Sequence, residues 1–177
     1  MGNRKISIFL LLLFMIFSCN NVYSLDKNRE VDLNLIEANK DGIYYVKGEE
    51  TPYTGRAVAY FDNGQESDEE NFIEGVHNGP FKEWFRNGQL KADWTMKDGK
   101  PDGECFGWYE DGQKAYERRY DVGVAQGRWA VWYESGRQKS EELFKDGSSN
   151  GKLFEYDNDG NVSNVVEFSR VPANMAR

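Results

Sequence analysis

The sequence predicts an all-β protein, an elongated single-layer antiparallel meander of stacked β-hairpins preceded by a signal-peptide helix. Three observations carry this prediction. Glycines recur on a fixed grid, aromatic residues recur at fixed offsets between them, and the sustained apolar run lies at the front of the chain. Written in blocks of 24, residues 53–76, 77–100, 101–124, 125–148 and 149–172 align without a gap. Glycine fills the third place (Gly55, Gly79, Gly103, Gly127, Gly151) and the twelfth (Gly64, Gly88, Gly112, Gly136, Gly160). It also fills the twenty-third in four blocks (Gly75, Gly99, Gly123, Gly147), with Val171 in the fifth. Fourteen of 18 glycines thus sit on the grid, which makes this an internal repeat of stacked supersecondary units.

Residues 1–18 read as a lipoprotein signal peptide. Arg4 and Lys5 precede a run of 12 from Ile6 to Phe17, too short to span a bilayer comfortably and suited to a secretory signal. Ile16-Phe17-Ser18-Cys19 resembles a bacterial lipobox, in which the cysteine becomes the lipid-modified first residue; cleavage after Val22-Tyr23-Ser24 is the alternative. With Cys19 lipidated, Cys105 is left alone and no intramolecular disulfide forms. Removing residues 1–18 takes Arg4 and Lys5 away, so the net charge moves from 22 − 30 = −8 to 20 − 30 = −10. So acidic a chain is a poor match for nucleic acid, and it meets the membrane through the anchor only. The expected location is the bacterial cell envelope, on the periplasmic or surface side.

Residues 19–40 are polar, lack sustained periodicity and read as a tether. Residues 41–52 hold an apolar aromatic stretch, Ile43 to Val46, and read as a degenerate half-hairpin that caps the first repeat. The repeat domain then spans 41–172, and 173–177 form a frayed tail. Within each block, places 4–9 and 13–20 are the strands. Asn-Gly, Asp-Gly or Ser-Gly joins them as a type I′ hairpin turn, and places 21–24 with 1–3 make a longer return loop.

A two-residue turn pairs place 5 with 18 and 8 with 15. Places 5, 9 and 20 then form an apolar stripe that includes Ala57, Phe72, Phe81, Cys105 and Trp129. The other face carries an aromatic residue at place 8 of every block: Tyr60, Trp84, Trp108, Trp132 and Tyr156. Acids at place 17 (Glu69, Asp93, Glu117, Glu141) and lysines at place 15 (Lys91, Lys139) are its expected neighbours. A row of rings on an otherwise acidic face is the kind of patch that marks a binding surface, although such rows also stabilise sheets.

The G-x-x-x-x-W/Y-Y/F-x-N/D-G-Q core and the Y/F/M-x-x-G ending resemble the MORN-repeat variant family, which includes bacterial YwqK-type antitoxin repeat proteins. The resemblance implies stacked hairpins in one long sheet, protein binding, and no catalytic residues or cofactor to carry over. It also implies, as an alternative, neutralisation of a co-encoded toxin. Ser135 and Arg137 depart from the pattern in the fourth block; Asp157, Asn161 and Val171 do so in the fifth, as an end repeat would.

Searching the chain for chemistry gives little. His77 falls at place 1 and reads as a surface residue of the return loop; Cys105 falls at a core place, where a thiol behaves as a small hydrophobe. Glu155 to Val166 imitates a calcium loop but lacks the twelfth-place glutamate, and Asp159-Gly160 is better placed as the fifth hairpin turn. Glu66, Asp68 and Glu70 alternate onto one face of a solvated strand rather than across a cleft, so a hydrolase lacks a residue set. The expected function is a lipid-anchored, non-enzymatic protein-binding or scaffold module with an unknown protein partner, no metal and no cofactor. The partner surface is Tyr60, Trp84, Trp108, Trp132 and Tyr156.

Overall fold

The computed structural model describes residues 29–167. The signal peptide and Cys19 lie outside the described residues, as does the tail. Among the described residues there is no α-helix, and no helix long and apolar enough to cross a membrane.

The repeats form strands β4 (Gly55–Tyr60), β5 (Glu66–Ile73), β6 (Val76–Trp84) and β7 (Leu90–Lys97). They continue through β8 (Lys100–Pro101), β9 (Gly103–Trp108), β10 (Lys114–Asp121), β11 (Val124–Trp132), β12 (Gln138–Lys145), β13 (Ser148–Tyr156) and β14 (Val162–Glu167). All pair antiparallel in chain order within one sheet, β8 being the start of the strand that β9 continues. The predicted meander is therefore what the chain forms, and place 5 lies opposite place 18, as in Phe81↔Trp94 and Cys105↔Arg118.

The two kinds of turn are the reverse of expectation. At each Asn-Gly-type turn the place-9 N–H donates to the place-13 carbonyl, and the place-12 glycine N–H donates back to place 9. Phe85 with Gln89 at 2.8 Å and Gly88 with Phe85 at 2.9 Å are one instance. Only the glycine has positive φ there (Gly88, +85°). This is a three-residue loop, a type I turn closed by a left-handed glycine bulge, not a type I′ turn. The place-11 side chain is used as an acceptor instead: Asn87 Oδ1 takes the Gln89 N–H at 2.9 Å, and Asp111 takes that of Gln113 at 2.9 Å.

The type I′ turns occur where a long return loop was expected. Glu74-Gly75, Asp98-Gly99, Val122-Gly123 and Asp146-Gly147 all have positive φ at both residues. Place-2 side chains hold the strained first residue. Thr54 Oγ1 accepts from the Glu74 N–H at 2.8 Å and Asp102 Oδ1 from that of Val122 at 3.0 Å. Places 1–3 are consequently strand in the second, fourth and fifth blocks, and in the second the place-3 glycine sits in a bulge: Glu70 pairs with Phe81 but Phe72 with His77, and Gly79 has φ +113°.

The presumed tether is partly structured. β1 (Glu30–Asp32) runs parallel to β4, a 3₁₀ turn follows at Leu33–Leu35, and β2 (Ile36–Ala38) pairs with β3 (Tyr44–Val46). The cap is thus a full hairpin that borrows residues from the polar stretch. Val31, Leu33, Ile36 and Tyr44 pack on a core of Val46, Tyr53, Ala57 and Phe72, while Leu35 stays exposed. The Tyr53 hydroxyl donates to the Arg56 carbonyl at 2.7 Å, with the Arg29 carbonyl 3.1 Å away. A Cβ on Gly55 would stand 2.3 Å from that Arg29 oxygen, so glycine is what lets β1 approach.

The turn glycines also face the preceding repeat unequally. A Cβ at Gly112 would meet Gln89 Oε1 of the preceding repeat at 3.2 Å, whereas one at Gly160 would meet nothing within 4 Å beyond its own chain neighbours. Both have φ near +85°. Gly112→Ala should lower stability by about 1–2 kcal/mol from backbone strain plus a crowding increment, and Gly160→Ala by the strain alone. Chemical denaturation of the two variants measures the difference; equal losses would mean that neighbouring turns do not pack.

Candidate functional site

The strand alternation gives two unlike faces. Places 5, 18 and 20 share one, together with the cap, and we call it the capped face. Along it the rings of Phe72, His77, Phe81 and Trp94 follow one another at centroid separations of 4.4, 6.3 and 6.1 Å. Trp94 Nε1 donates to the Tyr116 hydroxyl at 3.0 Å; Arg118 then lies over both Tyr116 and Trp129, and Trp129 packs on Phe144 at 4.4 Å. Place 9 does not complete this stripe. It opens the hairpin loop, and its tyrosines reach along the sheet edge, Tyr109 donating to the Trp132 carbonyl at 2.7 Å and Tyr133 to that of Tyr156 at 3.1 Å.

The other face carries places 6, 8, 14 and 17, and no described element lies over it. All five candidate binding residues are here. Tyr60 is 53% exposed; Trp84, Trp108, Trp132 and Tyr156 are half-buried. No two of these five rings touch. What joins the central ones is a cation: Trp108 packs on Phe106 at 5.9 Å, and Lys114 Nζ lies 5.1 Å from Phe106 and 5.4 Å from Trp132. Arg128 also stands 5.9 Å from the Trp132 ring centre. The sequence reading missed Phe106 and Lys114. Place 6 varies between Val58, Lys82, Phe106, Ala130 and Phe154, so its periodic signal was weak.

Acids at place 17 do lie on this open face, with Glu69 opposite Val58 and Glu141 opposite Ala130. Three of them are paired: Arg56 bonds Glu69 along with Glu30 and Glu66, Lys114 bonds Glu117 at 2.8 Å, and Arg128 bonds Glu141 at 2.8 Å. The Gln138 amide and the Arg128 guanidinium hold the Glu141 carboxyl below its ordinary value. Burial tends to raise Glu69, but hydrogen bonds from Asn71 and Arg56 outweigh it and leave Glu69 lowered. Lys91 is not a neighbour of the ring row. A bulge beside Trp84 leaves it unopposed, and it binds Glu83 on the capped face at 2.7 Å. The same bulge beside Tyr60 puts Glu66 with Glu69, not with Asp68 and Glu70.

Residues 78–98 and 101–121 match the MORN repeat variant family and are two of its repeats. Such repeats are generally protein-binding and typically non-catalytic modules. A comparison with curated proteins finds no match.

The side chains considered for chemistry all have structural tasks. His77 is a strand residue, not a surface loop residue. Its ring sits against Phe72 and edge-on to Tyr44 at 4.8 Å, and its Nε2 lies 2.7 Å from Glu70. Asp157 spends its carboxylate on the N–H groups of Asp159 and Asn161 inside the fifth hairpin loop. Among the described residues no group of three or more acids, histidines or cysteines is placed to hold a metal. Cys105 is fully buried, and burial pushes its thiol from 9.0 up to about 11. A raised folded value means stability is intact below the ordinary thiol value and falls as pH climbs from there toward 11, by on the order of 2 kcal/mol. Urea midpoints measured at pH 8 and pH 10.5 should show this loss, and Cys105→Ala should remove the thiol's part of it.

Proposed function

We propose that this chain is a lipid-anchored protein-binding module of a bacterial envelope, held to the membrane through Cys19 and presenting its open face to a protein partner. The observation that carries the reading is the ring–cation row Trp108, Phe106, Lys114, Trp132 and Arg128 on a sheet face that no described element covers. A sheet this thin needs side chains on both faces to cover one another. It does not need a second large ring beside each hairpin on the face away from the cap. Half-buried Trp and Tyr supply apolar contact area at little entropic cost, and they dominate binding energy at protein surfaces. The domain is acidic, and its arginines on this face are already paired with carboxylates. The surface therefore suits an extended segment or sheet that offers apolar groups with basic flanks.

The anchor and the surface are tested separately. Cys19→Ala should release the protein from the membrane fraction or leave it unprocessed, and mass spectrometry of the wild-type protein should find an acylated N-terminal cysteine. A mature chain beginning unmodified at Leu25 would rule the anchor out.

For the surface, partners recovered by cross-linking in intact cells are re-measured by titration against purified variants. Trp108→Ala, being central, should weaken binding most, by ~2 kcal/mol or more, with Trp84→Ala and Trp132→Ala next. Each variant must keep its β-type circular dichroism. A folded Trp108→Ala protein that binds normally would reduce the row to a structural one. Should the partner prove to be a toxin encoded beside this gene, the module is an immunity protein that uses the same face.

A further inference from the structure

We propose that β14 is a dimerisation strand, whose free edge pairs antiparallel with β14 of a second copy about a two-fold axis near Val165. In the order of the sheet β14 is the last strand, and among the described residues nothing pairs with its outer side. An edge strand presents N–H and C=O groups that template another strand, and proteins usually blunt it with lysine, proline, shortness or a cover. The opposite edge is treated this way. There β1 is three residues long, has Arg29, Glu30 and Asp32 around it, and is followed by the cap.

Among the described residues β14 has none of these defences. Val162-Ser163-Asn164-Val165-Val166-Glu167 contains no lysine, arginine or proline, and Val162 and Val165 are 53% and 41% exposed. The sequence also stops encoding the return that would bring the same chain back over it. After each earlier second strand a residue and a glycine take positive φ together, from Glu74-Gly75 to Asp146-Gly147. The fifth block has Arg170-Val171 at these two places, with Pro172 next. A branched valine is strongly disfavoured at the φ near +75° that Gly75 and Gly99 adopt, and the following proline further restricts it.

The choice of a second copy follows from closure. Head-to-tail growth requires two edges able to template a strand, but β1 offers only three residues with charged Glu30 and Asp32 exposed, and a two-fold pairing uses up β14, so association through β14 stops at two. Identical strands are self-complementary when antiparallel. With the axis at Val165, this valine meets the partner's Val165, Asn164 meets the partner's Val166, and Glu167 meets the partner's Ser163. No like charges oppose each other. Val165 and Phe154 lie on the open face, so this pairing makes the open faces of both copies continuous and doubles the row of rings.

The test uses the full chain in a density-matched detergent. Sedimentation at micromolar concentration should give twice the monomer mass. Val165→Cys should form a covalent dimer under mild oxidation, since residues facing each other across an antiparallel pair stand at about 4.5–5.5 Å between Cα atoms, within disulfide reach. Leu143→Cys is exposed but inside the sheet on β12, and should not cross-link. Val165→Lys should yield a monomer with unchanged β-type circular dichroism; if it unfolds, Asn164→Lys replaces it. Trp108→Ala should stay dimeric, which separates this proposal from partner binding. A monomeric wild-type protein would overturn the proposal, whether the chain's own residues 168–177 or a foreign strand covers β14. Equal cross-linking of both cysteine variants, or dimers that persist in a folded lysine variant, would also overturn it.

Discussion

A sheet without a second layer can cover a side chain only with its neighbours on the same face, and every other feature of this protein follows from that constraint. It explains why few large side chains are fully buried: Tyr53, Phe72 and Cys105. It also explains why small residues lie protected beneath larger ones, as Ala130 and Val58 do on the open face. Each hairpin is stabilised by the hairpins on either side, so the fold is a sum of nearest-neighbour contacts, and the end repeats need special treatment. At the first repeat that treatment is the cap, whose apolar side chains pack onto those of the first hairpin.

The constant period makes the neighbour contacts repeat. Asn63 donates to the Arg86 carbonyl at 3.2 Å and Asn87 to the Glu110 carbonyl at 2.9 Å, so one hairpin loop is bonded to the next. Glycine N–H groups of the tight turns do the same along the other edge: Gly99 reaches the His77 carbonyl at 2.9 Å and Gly123 the Pro101 carbonyl at 2.7 Å. An insertion of a single residue would break the register of every bond beyond it and move each side chain to the other face. The gapless blocks are what this geometry demands.

The two faces divide the work. On the capped face the rings run almost continuously from the cap to Phe144 and leave little that is free to act. On the open face the ion pairs are satisfied laterally, Arg56 with three carboxylates and Arg128 with Glu141, and the rings between them form the proposed partner surface. Pairing of two copies through β14 would extend that surface without altering it, and two sites on one object raise effective affinity for a partner that can reach both.

The repeat, its period, the strand order and the faces of places 5, 8, 17 and 20 were legible in the sequence, because a pattern of period two set in a period of 24 fixes the pairing of the strand centres. The positive-φ glycines were equally legible, but their turns were not. Asn-Gly serves both a type I′ turn and a type I turn with a glycine bulge, and only the number of residues between the paired strands separates them. That count depends on the bulges beside Trp84 and Tyr60, which have no local signal and which alone send Lys91 to one face and Glu66 to the other. The same holds for His77 and for residues 30–38. Val31, Leu33 and Ile36 look isolated along a polar stretch, and His77 looks like a loop residue, until folding brings them onto Ala57, Phe72 and Glu70. Local sequence determined what each hairpin is, because backbone ladders depend on nearby residues. Only tertiary structure decided what covers its first edge and what its rings touch, because those contacts join residues whose proximity no local pattern records.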